Sequence, residues 1–300
     1  MSTNAAPRPR VIVLGARGFV GGAVRGELER VGRWEVIGLG STDCDLTDRV
    51  AVRERIGPLA KDAHVVLSSS VLLLPGEPVS IFDANVAMAR NLTEALAGQR
   101  PASFTFLSSS DVYGRPPSET PLREQSPLAV TGHYGLSKLV AERLLNFGID
   151  APLGVFRLPG VYGPGDGARS IVGQFATRLL DGQALTLAGG GTALRDYVHV
   201  QDVARLIAAQ LMQPVTRTLN VATGRAISLA ELAAVTAKAC GVALRTQAVA
   251  ANGPQYDLSF DVSALHAAFP GVSMTPIEAG VAGYVDALRK LRASPASKSV

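Results

Sequence analysis

Near its start the chain runs from Val11-Ile12-Val13-Leu14 straight into Gly15-Ala16-Arg17-Gly18-Phe19-Val20-Gly21, and this junction constrains the fold more than any other segment. A short continuous apolar run reads as a strand buried on both faces. Glycines at G-x-x-G-x-x-G spacing permit a tight turn and close backbone approach, and the residues that follow, to about Val31, read as a helix. A helix N-terminus behind such a turn offers free N–H groups to an anion, so the three parts make a cradle for a pyrophosphate. Gly15, Arg17, Gly18, Phe19, Val20 and Gly21 are the candidate cofactor contacts here.

The alternation continues along the first half. Strands are expected near 11–14, 35–39, 64–67, 103–107 and 153–157, and helices near 18–31, 48–56, 80–97 and 134–147. That order predicts an α/β fold, a Rossmann-type doubly wound parallel sheet covered on both faces. Beyond Pro159 the pattern loosens around Gly163 to Gly167 and Gly189 to Gly191. A helix from about Val200 to Leu211 and a short strand at Leu219 to Val221 are expected to return to the main sheet. The predicted organisation is a dinucleotide-binding domain over 10–165, with 196–224 returning to it. A smaller, interleaved substrate-binding lobe takes 166–195 and 225–291, and flexible tails take 1–9 and 292–300.

Composition narrows the classes. At 300 residues and 47% hydrophobic the chain can bury a large core. The net charge of +4 is not gathered into a basic run, which argues against nucleic acid despite a pI near 9.3. Cys44 and Cys240 are far apart and suggest a reducing compartment. His64, His133, His199 and His266 lack ligand spacing, so no metal is expected. The apolar stretches Val65 to Leu67 and Val71 to Leu74 are too short to cross a bilayer, and the start has no long apolar h-region. A soluble cytoplasmic protein is expected.

The chemistry lies in Tyr134-Gly-Leu-Ser-Lys138, about 20 residues beyond the run Ser108 to Gly114. Four-residue spacing on a helix puts the phenol and the ammonium on one face. A nearby cation in a partly desolvated site can lower a phenol by ~3 pH units, which takes about 4 kcal/mol. Such a phenol exchanges a proton with a carbinol or carbonyl oxygen while hydride moves elsewhere. Serine triplets end two strands, Ser68-Ser69-Ser70 and Ser108-Ser109-Ser110, where ligands of open parallel sheets bind. Cofactor choice is read after Glu35 to Leu39: Gly40-Ser41 stand where an NAD enzyme usually has an acid, Asp43 and Asp45 come late, and Arg17 is placed to meet a 2′-phosphate. NADP is therefore expected, with NAD the alternative.

Together these motifs resemble the extended short-chain dehydrogenase/reductases, and within them the NAD(P)-dependent sugar-nucleotide epimerase/dehydratase family. The resemblance spans about residues 10 to 290 and takes in Asp45-Leu46, Asn85, Ser109 to Gly114, Tyr134, Lys138, Arg157 to Pro164 and Arg195 to Val200. It implies Ser109, Tyr134 and Lys138 as the catalytic set, with Lys138 also holding the nicotinamide ribose. It further implies that Asp45 and Leu46 bracket the adenine, that Ser68 and Ser69 meet the cofactor through backbone groups, and that Asn85, Leu158, Pro159 and Val161 line its site. Arg195 matches the segment that binds a sugar-nucleotide diphosphate, for which a planar guanidinium is suited. The chain departs from the family near Gly253 to Asp257, where relatives often supply a second arginine. Ser110 and Asp111 stand where 4,6-dehydratases carry an acidic pair, which disfavours dehydration.

The resulting expectation is an NADP-dependent ketoreductase acting on a nucleotide-linked keto-deoxysugar, with Ser109, Ser110, Asp111 and Arg195 at the substrate. The alternative is an NAD(P)-dependent sugar-nucleotide 4-epimerase, and outside enzymes a dinucleotide-binding sensor or scaffold. The resemblance also implies a homodimer through the helices at 80–97 and 134–147.

Overall fold

The structure is a computed structural model that describes residues 7–71, 78–251 and 253–293. Along the chain the elements begin β1 Arg10–Leu14, α1 Phe19–Val31, β2 Glu35–Leu39, α2 Arg49–Arg55, α3 Gly57–Ala60, β3 His64–Leu67, α4 Val79–Leu96 and β4 Ser103–Ser109. A 3-10 turn at Ser110–Tyr113 precedes α5 His133–Gly148, β5 Leu153–Leu158, β6 Gly160–Tyr162, α6 Ile171–Leu180 and β7 Leu185–Ala188. The chain continues with β8 Leu194–Arg195, β9 Tyr197–His199, α7 Val200–Met212, β10 Arg217–Asn220 and β11 Ile227–Ser228. It closes with α8 Leu229–Cys240, β12 Thr246–Val249, α9 Ser263–Ala268 and α10 Ile277–Ala293.

The principal sheet has six strands in the order β10-β5-β4-β3-β1-β2. β1 pairs in parallel with β2 and β3, and β3 with β4. The path goes from β1 to β2 on one side and then to β3 on the other, so β1 and β3 flank a topological switch point. In a sheet of this kind, ligands bind in the crevice beyond the carboxyl ends of the two strands there. Val11, Ile12, Val13, Val65, Val66 and Phe104 are fully buried, as strands covered on both faces require. α4 and α5 pack so closely that a Cβ on Gly148 of α5 would collide with Thr93 Cγ2 of α4. Leu92 of α4 and Leu145 of α5 join the same core.

The chain divides into two compact units. The first holds the described residues through Gly114, Leu128–Arg157 and Val203–Leu219; the second holds Arg115–Pro127, Leu158–Asp202 and the described residues from Asn220 on. This division puts 115–127, 158–165, 196–202 and 220–224, which the sequence reading assigns to the dinucleotide domain, in the second unit. The first segment is joined there by the Leu122–Phe260 bridge and by Leu122 N donating to Ser259 O at 2.8 Å. The second unit has its own core of Tyr162, Phe175, Leu179, Leu232, Val281 and Tyr284.

Individual elements follow the sequence closely, with differences at their ends. β4 runs through Ser109 rather than stopping at Leu107, the short strand expected at 219–221 lies at Arg217–Asn220, and α10 includes Arg292 and Ala293, which the sequence reading places in the tail. The remaining tail positions 1–6 and 294–300, and most of the Val71 to Leu74 run, lie outside the described residues. Leu92→Ala, which deletes a side chain with no exposure, is expected to lower the unfolding free energy by about 2–5 kcal/mol. Chemical denaturation monitored by circular dichroism measures it.

Candidate active site

The glycine turn is strapped to both neighbouring strands. Gly15 and Ala16 donate backbone N–H bonds to Leu39 O at 2.8 and 3.1 Å, and Ser68 and Ser69 donate theirs to Leu14 O at 3.0 and 3.1 Å. Gly15 has φ +89°, and a Cβ there would lie 2.8 Å from Ser69 N; one on Gly21 would collide with Gly15 O. Only glycine allows the turn to close this tightly. Gly18 is the N-cap of α1 and no side chain caps it, so the first-turn N–H groups remain for a ligand. A cradle with this backbone and no acidic side chain in the first turn of α1 fits the pyrophosphate of a dinucleotide.

At the end of β2, Asp43 is less remote than its position in the sequence suggests. Its Oδ2 accepts the Gly40 N–H at 2.8 Å, and its Oδ1 accepts Arg17 Nη2 at 2.9 Å. Arg17 also donates to Thr42 Oγ1 and lies across Gly40, where a Cβ would meet its Cδ at 2.8 Å. The Arg17 side chain is 62% exposed and ion-paired. Asp45 turns onto its own loop and accepts the N–H and hydroxyl of Thr47 at 2.9 and 2.7 Å, which holds its carboxyl below the usual range. Leu46 is buried, and its carbonyl accepts a bond from Asn91 Nδ2.

The catalytic candidates converge within the first unit. Ser109 ends β4 and caps the 3-10 turn, its Oγ accepting the Asp111 N–H at 3.1 Å. Tyr134 sits in the first turn of α5, which comes close to that turn because residue 135 is glycine: a Cβ there would lie 2.6 Å from Asp111 O. Lys138, 4% exposed, donates from Nζ to Leu107 O at 2.8 Å, with its ammonium 5.6 Å from the Tyr134 ring centre and 5.0 Å from that of Phe106. Burial lowers the Lys138 pKa to about 8, opposed by the charges of Glu142 and Asp111. The ammonium form is therefore held below about pH 8 and lost as pH rises through it.

The other expected residues divide. Ser68 Oγ donates to Leu14 O at 2.8 Å, and Ser110 is buried. Asn85 is a bridge: its Oδ1 accepts the Val71 N–H at 2.8 Å, and its Nδ2 donates to Val71 O and to Ser137 Oγ. Ser137 in turn donates to Tyr134 O at 2.7 Å, so Asn85 acts on the position of α5. Leu158 ends β5, and Pro159 and Val161 follow it into the second unit, where β6 pairs in parallel with β9. Arg195, also in the second unit, donates from Nη1 to Leu194 O at 2.7 Å and to Tyr256 O at 2.5 Å, and stacks 4.6 Å from the Tyr256 ring centre. Tyr256 lies in the stretch where the resemblance leads one to look for a second arginine.

Sequence reasoning gave no role to Glu142, Arg157, Ser108 or Tyr113. Glu142 Oε1 accepts Ser108 Oγ at 2.5 Å and Arg157 Nε at 3.0 Å; its Oε2 accepts Arg157 Nη2 at 2.8 Å. Arg157 Nη1 completes the group by donating to Tyr113 OH at 2.9 Å. Burial disfavours the Arg157 cation, and the Glu142 carboxylate more than offsets it, leaving its pKa raised. The available signal was a carboxylate four residues beyond Lys138, on the same helix face. Among the described residues no group of His, Cys, Asp or Glu is arranged to hold a metal, and no helix is long and apolar enough to cross a membrane.

A model of the NAD dependent epimerase/dehydratase family matches residues 11–222. The dTDP-glucose 4,6-dehydratase of Streptomyces niveus is 29% identical over 206 residues, covering 66% of this chain and 59% of that protein. The chain spans about three fifths of the length of the first curated relatives it matches. The crystal structure of the UDP-glucose 4-epimerase of Thermus thermophilus with NAD superposes with a TM-score of 0.82 at 25% identity, over 93% of this chain and 99% of that one. MoeE5 in complex with UDP-glucose and NAD gives 0.80 at 26% identity, over 95% and 100%.

Gly21→Ala tests the cradle directly, since its methyl group meets backbone rather than a movable side chain. Dinucleotide affinity, measured by fluorescence titration, is expected to fall by at least about tenfold with the α/β spectrum retained.

Proposed function

The chain belongs to the NAD dependent epimerase/dehydratase family, and from that premise we propose that it is a nucleotide-sugar 4-epimerase working with NAD. The observation that carries the reading is the buried Lys138 ammonium beside the Tyr134 ring, one turn along α5 and next to the end of β4 that bears Ser109. A dinucleotide held in the Gly15–Gly21 cradle supplies a hydride acceptor and donor. The residues of the chain supply the rest. Ser109 orients the reacting oxygen by hydrogen bond. Tyr134 would take the proton from that oxygen when the carbinol is oxidised, and return it when the carbon is reduced again. Lys138 keeps the phenol acidic enough to do both.

The ordering of the two enzyme readings turns on Arg17. The sequence reading favours NADP and a ketoreductase because Arg17 looks available and Gly40-Ser41 carry no acid. With Arg17 paired to Asp43, a 2′-phosphate would have to displace that pair and then face the carboxylate. A neighbouring like charge opposes binding, and so the pair supports NAD. NAD suits a reaction that returns its own hydride. The ketoreductase remains the second reading, favoured by the missing strand-end acid. Dehydration has less support, because Ser110 is buried and Asp111 is the lone carboxylate at those two positions.

A homodimer and a cytoplasmic setting belong to the same proposal. Phe147 of α5 is 83% exposed, and Val79 of α4 and Leu136 of α5 also face solvent, which supports pairing through those helices. The buried free thiols of Cys44 and Cys240 support a reducing compartment.

Incubation of the purified protein with UDP-glucose, read by proton NMR, is expected to yield the C4 epimer without added reductant. Tyr134→Phe is expected to lower that rate by at least about 100-fold while dinucleotide binding survives. Net consumption of added NADPH with a keto-sugar, and no epimerisation, would transfer the assignment to the ketoreductase. Calorimetric titration provides the cofactor test: NAD binds more tightly than NADP, and Asp43→Asn improves NADP by about five- to tenfold while changing NAD less than about twofold.

A further inference from the structure

The hydride chemistry proposed above uses Ser109, Tyr134 and Lys138, and leaves unexplained a buried ion pair directly behind them. Glu142 and Arg157 have side chains only 7% and 5% exposed. Replacing such a pair with apolar residues is often neutral or stabilising, so stability alone is a poor reason to keep it. Its placement offers a better one. Tyr134, Lys138 and Glu142 follow one another at four-residue intervals on α5 and share a face. Glu142 reaches Ser108, the residue before Ser109, while Lys138 reaches Leu107, the residue before that. Arg157 reaches from β5 to the same carboxylate and to Tyr113, which ends the 3-10 turn that starts after Ser109.

We infer that Glu142 and Arg157 are positioning residues for the Tyr134–Lys138 pair: their fork sets α5 against the end of β4 and keeps a fixed anion one turn behind the Lys138 ammonium. The inference rests on the reading of Tyr134 and Lys138 given above. Two effects follow from one carboxylate. The first is geometric, because every anchor in the group flanks Ser109 on the chain. The second is electrostatic. Burial drives Lys138 toward its neutral form, and Glu142 opposes that shift. Among the described residues, the other charged or titratable groups facing Lys138 are Asp111 in the 3-10 turn, which acts in the same direction, and Tyr134 itself; β4 contributes the Phe106 ring and the Leu107 carbonyl. Arg157 acts on the lysine through Glu142.

The test is Glu142→Gln, which keeps the shape and removes the charge. The ammonium then loses its proton at lower pH, so the alkaline limb of kcat moves acidward by about one pH unit. The Tyr134 phenol, facing a neutral amine, titrates higher in the ultraviolet difference between each background and its Tyr134→Phe counterpart. Glu142→Asp keeps the charge and is expected to restore the limb toward its original place. If Glu142→Gln does not fold because Arg157 is left unpaired, the double variant Glu142→Gln/Arg157→Gln removes both charges and carries the same two readouts. A folded variant with an unmoved kcat limb and an unmoved phenol titration overturns the inference and leaves the pair a structural one. The phenol titration needs no turnover. A wild-type protein inactive on nucleotide sugars therefore sinks the proposed reaction, while the titration still decides the role of Glu142.

Discussion

The interaction on which the site depends is a buried lysine held against the end of a strand. Lys138 extends from α5 to the Leu107 carbonyl of β4, out of water and between two aromatic rings. An ammonium in that position is unstable by itself, since desolvation favours the neutral amine. The surroundings answer this in layers. The carbonyl accepts one of its hydrogen bonds, the Phe106 and Tyr134 rings present their faces, and Glu142 supplies a full negative charge. Glu142 would be costly there without Arg157, and Arg157 without Glu142 and Tyr113. The buried Lys138 cation thus belongs to a chain of buried polar groups running across α5, β4, β5 and the turn after Ser109.

The same helix is also held by smaller devices. Gly135 lets its first turn approach Asp111, and Asn85 connects Ser137 to the segment after β3. Thr93 fills the space that Gly148 leaves between α4 and α5. Each removes a freedom that Tyr134 would otherwise have, and a displacement of about 1 Å at a reacting group is enough to cost about 100-fold in rate. The ion pair gives direction as well as closeness, because a bidentate fork tolerates little rotation.

Much of this was legible in the sequence, for reasons that differ by region. Strands covered on both faces must be apolar throughout, so Val11 to Leu14 and Val65 to Leu67 stand out as runs, and the turn at Gly15 to Gly21 has a spacing that little else requires. Tyr134 and Lys138 are visible because helix periodicity joins them. What the sequence concealed depends on contacts between distant positions. Arg17 looks like a free cation until Asp43 folds back on it across Gly40, 26 residues away in the chain. The bond from Arg195 to the Tyr256 carbonyl, 61 residues on, is likewise invisible in the sequence. Residues 115–127 look like part of the first unit, yet Leu122 pairs with Phe260, whose partner strand could not be inferred from a single-residue bridge. Glu142 is an intermediate case: its place on the helix face was readable, but that it is buried, and on whom, was not.

These hidden contacts share a consequence for how chemistry is distributed over the chain. On the proposed reading the reacting groups, Ser109, Tyr134 and Lys138, lie at a strand end and on one helix face, where backbone periodicity dictates their meeting. The groups that tune them, Asp43 at the cofactor cradle and Glu142 behind the lysine, are single carboxylates reached through a loop or buried behind a helix. Neither changes the fold's hydrophobic pattern, but only exposed Asp43 is open to substitution by itself, whereas Glu142 is tied to its buried partner Arg157. On the proposed reading, charge at these two positions is therefore where a fold of this kind would shift its cofactor preference and its working pH separately, since Asp43 is bound to Gly40 and Arg17, and Glu142 to Ser108 and Arg157.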